Sequence, residues 1–188
     1  MAETPGNPIA ALLENDPKKV SKEQLAEMLS KASAIADSGE SVDLSSLGPA
    51  EFAKLVSRAS KDQIEAVLGV PSLKKGILTE IFNRMEEQFR PERAANTNAI
   101  IHWRLSDGAG EGGYDRYETV IADGRCVANI PPQHEEARVS ITASPYEFLK
   151  LVSGNGSPPV MFMTGKIKLK GDLGLAAGLT NLFDFPKA

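Results

Sequence analysis

With 188 residues, 41% of them hydrophobic and 24% charged, the chain has length for one generous domain or two small ones and apolar content for a real core. The formal net charge is −4, with 12 basic and 15 acidic residues through Asn98 and 9 against 10 beyond it. Neither half therefore carries the basic footprint that nucleic-acid binding by counterion release requires, and no nucleic-acid partner is expected. No apolar run reaches bilayer-spanning length, and the polar N-terminus lacks the apolar stretch of a signal peptide. A single cysteine, Cys126, excludes an internal disulfide and suits a reducing compartment. The final Phe-Pro-Lys-Ala is not the Ser-Lys-Leu peroxisomal signal, so the cytoplasm is the expected location.

The first seven residues have little to bury and are expected to fray. From Pro8 to Gln88 the pattern is helical. Leu25, Met28, Leu29 and Ala32 recur at three- and four-residue spacing, and Ser21 with Gln24 forms a candidate capping box ahead of them. Gly39 closes that helix, a polar link through Ser41 and Asp43 follows, and Pro49 opens a second helix. The segments Leu25–Ser33 and Phe52–Ser60 match at nearly every position, as either a short repeat or two helices of like pattern. A third helix, Asp62 to Leu68, ends at Gly69 with Pro71 beyond it. A fourth, Ser72 to Phe89, presents Ile77, Leu78, Ile81, Phe82, Met85 and Phe89 on one side.

After Asn98 the period changes from helical to two. Ile101, Trp103 and Leu105 alternate with His102 and Arg104; Tyr117, Thr119 and Ile121 alternate with Glu118 and Val120; Val139, Ile141 and Ala143 alternate with Ser140 and Thr142. Such alternation describes strands with one face on a core and one toward water. Asp123-Gly124 is a two-residue hairpin signal. A short helix from Pro145 to Val152, a Gly/Ser/Pro loop, a strand from Lys166 to Lys170 and a last helix from Leu173 to Leu182 complete the chain. On that last helix Leu175, Leu179, Leu182 and Phe183 fall on one stripe. Gly174 and Gly178 lie in the same helix at about 1 kcal/mol each against alanine, which calls for close packing on the sheet or room for a ligand.

The stretch from Phe162 to Phe183, with its Gly165-Lys-Ile-Lys-Leu-Lys-Gly-Asp-Leu-Gly-Leu-Ala176 run before a Leu-rich helix, resembles the C-terminal signature of the sterol carrier protein 2 family. Ala137 to Thr142 with Phe148 and Leu149, the Asp123-Gly124 hairpin and the helix from Ile77 to Phe89 extend the resemblance over about 110 residues. It implies an α+β fold: a five-stranded, mainly antiparallel sheet covered by helices on one face, here preceded by an all-α N-terminal region. The expected division is a helical region at 1–72 and a lipid-binding domain at 73–188. The resemblance also implies a tunnel for a fatty acid, fatty acyl-CoA, sterol or phospholipid, with no catalysis, no cofactor and no metal. Candidate lining residues are Trp103, Phe148, Val152, Phe162, Leu173, Leu175, Ala176, Leu179, Leu182 and Phe183. Met161 and Met163 suit an adaptable surface. The loop Ser153 to Pro159, richer in Gly and Pro than the family's connection there, leaves ligand choice open.

Other signals carry less. Gly108-Ala-Gly-Glu-Gly-Gly113 matches G-x-G-x-x-G, but Tyr114 to Tyr117 leads into a strand, so no helix N-terminus meets a pyrophosphate, and a flexible hairpin loop is expected. His102 and His134, the only histidines, have no cysteine or carboxylate beside them at ligand spacing. Cys126 reads as a buried, unreactive thiol. Lys150, Lys166, Lys168 and Lys170 read either as a solvated strand face or as a greeting for anionic headgroups, with at most transient membrane-surface contact. Mycothiol-dependent isomerases join a metal-binding helical bundle to a similar domain, but residues 1–88 contain neither histidine nor cysteine. The competing function is docking: N-terminal helices that self-associate or recruit a lipid-metabolising enzyme, with the C-terminal domain as accessory.

Overall fold

The computed structural model describes residues 16–38, 48–94 and 96–185. Fraying at residues 1–7, the helix end at Gly39 and the link through Ser41 and Asp43 lie outside the described residues. The chain divides into two compact units between Glu80 and Ile81.

The first unit is helical. A 3₁₀ turn at Pro17–Lys19 precedes α1 (Lys22–Asp37), α2 (Pro49–Arg58), α3 (Lys61–Leu68) and the start of α4 (Pro71–Gln88). Ser21 and Gln24 form the expected capping box: the Gln24 N–H donates to Ser21 Oγ at 3.1 Å and the Ser21 N–H to Gln24 Oε1 at 3.0 Å. The same device recurs before α3, where Ser60 and Gln63 exchange bonds of 3.2 and 3.0 Å. This second box shows where the apparent repeat breaks. Ser33 lies inside α1, whereas Ser60 lies beyond the end of α2 at Arg58 and caps the next helix. Gln63 Nε2 also donates to the Pro17 carbonyl at 2.8 Å, fastening α3 to the 3₁₀ turn. Pro71 begins α4, consistent with proline's fitness for a first helical position.

The second unit is built on β1 (Ala99–Ser106), β2 (Tyr114–Ala122), β3 (Arg125–Asn129), β4 (Val139–Ala143) and β5 (Ile167–Gly171). They form one sheet in the order β3-β2-β1-β4-β5, antiparallel throughout except for the parallel pair β1 and β4. Period two is the reason: Ala99, Ile101, Trp103 and Leu105 are buried, while the residues between them face the other way and stay half-exposed. Asp123 and Gly124 take φ of 51° and 71°, the left-handed values a tight two-residue hairpin needs. The Gly108–Gly113 segment forms the connection of the β1–β2 hairpin and opens no helix of the kind a dinucleotide fingerprint needs. The Gly108 N–H donates to the Gly113 carbonyl and the Gly113 N–H to the Gly110 carbonyl, both at 3.0 Å.

One face of the sheet holds the core. Phe82 from α4 is fully buried there, stacked on Tyr117 and Phe148 at centroid distances of 4.4 and 5.3 Å and edge-on to Trp103 at 6.0 Å. The Trp103 indole N–H donates to Thr119 Oγ1 at 3.0 Å, so the one buried polar handle of that ring is satisfied. Three helices follow β4: α5 (Pro145–Val152), α6 (Pro158–Met163) and α7 (Leu173–Gly178). Helix α6 stands where composition suggested the end of a loop; Pro158 and Pro159 occupy its first turn, the one place a helix tolerates them. The last helix stops at Gly178 and tightens into a 3₁₀ turn, Leu179–Leu182. From there the chain returns to the end of α4. The Arg90 N–H donates to the Leu182 carbonyl, the Asp184 N–H to the Gln88 carbonyl, both at 2.8 Å, and Arg90 pairs with Asp184.

The turn from β5 into α7 depends on Gly171 and Asp172. Gly171 has φ +105°, and a Cβ placed on it would sit 2.3 Å from the Arg138 carbonyl oxygen. Asp172 caps α7 by accepting from the Leu175 N–H at 2.8 Å and holds the Arg138 guanidinium at 2.9 Å from Nε. These two partners, the Leu175 amide first, keep its carboxyl below the usual aspartate range. Gly171→Ala is expected to cost about 2 kcal/mol from backbone strain and the carbonyl clash. A fall in the urea midpoint at unchanged slope would register it. An unchanged midpoint would mean the turn relaxes freely.

Candidate functional site

A cavity of about 280 Å³ opens at the β5 edge of the sheet. At a water's share of ~30 Å³ this is room for roughly nine small groups. Its floor is the core face of the sheet: Trp103 from β1, Ile141 from β4, and Ile167 and Leu169 from β5. Its wall and roof come from Leu151 at the end of α5, from α6, from α7 and from the C-terminal turn. Thr180 supplies the only side-chain hydroxyl on the lining among the described residues. Among the described residues no carboxylate, amine or imidazole borders the space, and the lining they form can exclude water and pack hydrocarbon.

Of the ten candidate residues, Trp103, Phe162, Leu173, Ala176, Leu179 and Phe183 border this cavity. Phe148, Val152, Leu175 and Leu182 do not. Phe148 and Val152 are buried, Phe148 against Phe82 and Trp103, and act as core behind the floor. Leu182 is buried after the helix has tightened to a 3₁₀ turn, and Leu175 is half-buried. Of the two methionines, Met163 is on the lining and 84% exposed, whereas Met161 is buried. The lining residues that the sequence reading missed include Leu151, Ala177, Thr180 and Phe185 together with two groups that have a common cause. Ile141, Ile167 and Leu169 lie on inward-facing rows that strand alternation already marks. Pro158 and Pro159 belong to α6, which composition disguised as loop. Neither Gly174 nor Gly178 borders the cavity, and neither is there for close packing. A Cβ on Gly178 would touch nothing within 4 Å, and one on Gly174 only the Asp172 carboxylate at 3.3 Å.

The opposite face of the sheet carries a separate polar centre. Glu118 on β2 has no exposed side-chain surface and gathers both histidines of the chain. His102 Nε2 lies 3.2 Å from Oε2; His134 Nδ1 lies 2.9 Å from Oε1, and the His134 N–H donates to Oε2 at 3.0 Å. Asn129 Nδ2 donates at 2.8 Å and the Gln133 N–H at 3.4 Å. Burial pushes the carboxyl up, but the donations from Asn129 and His134 win and bring it down to about 2. Both histidines therefore do stand beside a carboxylate, which sequence spacing could not show because cross-strand register, His102 opposite Glu118 opposite Asn129, sets the meeting. Among the described residues no group of His, Cys, Asp and Glu has the geometry of a metal site. Cys126 is buried, and burial, then Glu86, pushes its thiol up to about 12, so it stays a neutral thiol at physiological pH.

A model of the SCP-2 sterol transfer family matches residues 78–184. Hydroxysteroid dehydrogenase-like protein 2 of Bos taurus is 28% identical over 114 residues, 61% of this chain and 26% of that protein. Sterol carrier protein 2 of Homo sapiens is 29% identical over 136 residues, 70% of this chain and 24% of that protein. Among solved structures, the apo form of sterol carrier protein 2 from Yarrowia lipolytica is 23% identical with a TM-score of 0.43, covering 59% of this chain and 87% of that one. The chain thus spans about a quarter of the length of the curated relatives it matches. No described helix is long and apolar enough to cross a membrane.

Proposed function

The chain belongs to the SCP-2 sterol transfer family, and on that premise we propose that it binds a single apolar lipid chain in the β5-edge cavity and carries or presents it without catalysis. The observation that supports this reading most is the lining itself, apolar among the described residues except for the Thr180 hydroxyl. Filling it with about ten methylenes would release ~8 kcal/mol of gross transfer free energy, from which ordering costs are subtracted. A fatty acid or the acyl part of an acyl-CoA or phospholipid meets that description. Longer or bulkier ligands extend past the mouth among Phe162, Met163 and Leu173, which are partly open to solvent. A reducing, cytoplasmic setting accords with the lone buried thiol of Cys126.

The test is native extraction followed by mass spectrometry of whatever lipid remains bound. Leu179 borders the cavity and is 3% exposed, so Leu179→Trp places an indole in the ligand's space. The variant is expected to remain folded, at about 1–3 kcal/mol of overpacking, and to lose the lipid. Equal lipid occupancy in the folded variant would remove this cavity from the proposal. A wild-type protein that holds no lipid and takes up no fluorescent fatty acid would favour the docking role for the helical unit.

A further inference from the structure

The core face of the sheet lines the cavity, and the pleat sends every second side chain of the same strands to the opposite face. There Arg104 on β1 stands directly across from Arg116 on β2, with side-chain bases about 5 Å apart. On its other side Arg104 is in register with Thr142 on β4, and Thr142 with Lys168 on β5. One row across four strands thus holds three cations and a hydroxyl and no carboxylate. Like charges directly opposite each other repel, so this pairing calls for an offsetting anion. Among the described residues the row's one ion pair is Glu111 with Arg116 at 3.8 Å, and both side chains are open to water, 88% and 46% exposed. Arg104 pairs with no described carboxylate. Its guanidinium lies over the Tyr114 ring, 4.3 Å from the centroid, and its Nε, shut off from solvent, donates to no described residue. The ring holds the planar fork in place, and a buried donor left over in a folded protein points to a bound ion or water. Glu118, in the neighbouring row, is fully buried and already taken by His102, His134 and Asn129, so it does not serve.

From this row we propose that Arg104, Arg116, Thr142 and Lys168 bind the phosphomonoester group of a small soluble molecule. Such a group carries about −1.5 to −2 charge and three strong acceptor oxygens. That charge matches the two arginines, whereas a single carboxylate would leave one of them unneutralised. Arg104 presents its stacked fork to two of the oxygens. Arg116 gives up Glu111 for the third, a small sacrifice because an exposed ion pair contributes little. The Thr142 hydroxyl and Lys168, which is two strands and about 10 Å from Arg104, close the other side. Trp103, Ile141 and Ile167 on the same strands face the cavity. A group bound at the row therefore lies across the sheet from the cavity and is not the headgroup of a ligand lodged there. The inference stands on the outer face alone and does not depend on the carrier reading.

The experiment is calorimetric titration of the full chain with phenyl phosphate, with benzoate, tetraglutamate and phosphatidic acid vesicles titrated in parallel. The emission of Trp103, on the core face of β1, shows whether each variant melts as a folded protein. Phenyl phosphate is expected to bind saturably and at least about tenfold tighter than benzoate. Arg104→Gln should weaken it about tenfold or more, and Arg104→Lys, which restores the charge without the fork, should recover little of that loss. Tyr114→Leu changes no charge but removes the platform, and should weaken binding about threefold. Glu111→Gln frees Arg116 and should tighten it about twofold. Should Arg104→Gln not fold, Tyr114→Leu and Glu111→Gln decide the matter. A wild type that does not bind phenyl phosphate overturns the site. So does full rescue by Arg104→Lys together with indifference to Tyr114→Leu, the mark of a patch that supplies charge and no geometry. Tetraglutamate bound as tightly as phenyl phosphate assigns the row to an acidic protein segment, and vesicles bound without phenyl phosphate assign it to a lipid headgroup; either result overturns the proposal.

Discussion

Glu118→Ala is expected to remove about 4 kcal/mol of stability at neutral pH, one of the two largest losses a single substitution should produce in the second unit. The carboxylate is fully buried and takes donations from Asn129, His134 and Gln133, with His102 beside it. Truncation leaves those donors facing an empty space, and breaking a buried charged cluster from one side typically costs about 3–5 kcal/mol. The acid dependence has a definite sign. The folded-state value, about 2, lies below the 4.5 of an unperturbed glutamate, so the contribution is complete above pH 4.5 and is lost as pH falls from there toward about 2. The linked loss is ~3 kcal/mol. Urea titrations at a series of pH values would show it as a falling midpoint in that window. Glu118→Gln, which carries no titrating proton, should start lower and fall less steeply. A variant with the same acid slope as the wild type would mean that other carboxyls, Asp172 among them, carry the dependence.

The cluster also illustrates what the amino-acid order conceals. Strands could be read from Ile101, Trp103 and Leu105 because a half-buried strand must alternate, and the hairpin from Asp123-Gly124 because few dipeptides tolerate the left-handed pair of conformations. Those are local rules. That Glu118 would meet His102 and His134, each sixteen positions away, follows from register and from the path of the segment after β3, which no local pattern specifies.

The cavity wall was legible in part for a related reason. A 3.6-residue period placed Leu175, Leu179, Leu182 and Phe183 on one stripe. The helix instead ends at Gly178, and the 3₁₀ turn that follows has three residues per turn, so the directions of later side chains advance differently. Leu179 and Phe183 still reach the cavity, and Leu182 goes to the core. Helix α6 escaped because Gly154 to Pro159 has the composition of a loop, and a Pro-Pro pair announces a helix start only when the residues after it are packed. Its apolar face, with Phe162 and Met163, then supplies much of the rim.

Phe82→Ala should match Glu118→Ala in cost, at about 4 kcal/mol, and should act on the other face of the sheet. Phe82 is fully buried and is the one ring in contact with Tyr117, Phe148 and Trp103 together. Its removal forfeits the transfer free energy of the ring, leaves a void that rigid neighbouring strands cannot close, and cancels three aromatic contacts. For a unit of about a hundred residues that loss lowers the melting temperature by roughly 20 °C. The chain carries one tryptophan, Trp103, which touches both Phe82 and the cavity. Its emission therefore reports unfolding of this unit alone, and it also senses an apolar occupant. In wild type, fatty acid should raise the melting temperature and shift the emission, since a ligand that binds only the folded form stabilises it by mass action. In Phe82→Ala the fluorescence transition should move down as a whole, and saturating fatty acid should recover part of the loss. A transition lowered by only a few degrees would mean that Tyr117, Phe148 and Trp103 collapse into the vacated volume. That outcome would also shrink the floor of the cavity, so reduced fatty-acid uptake by the variant would confirm the collapse independently.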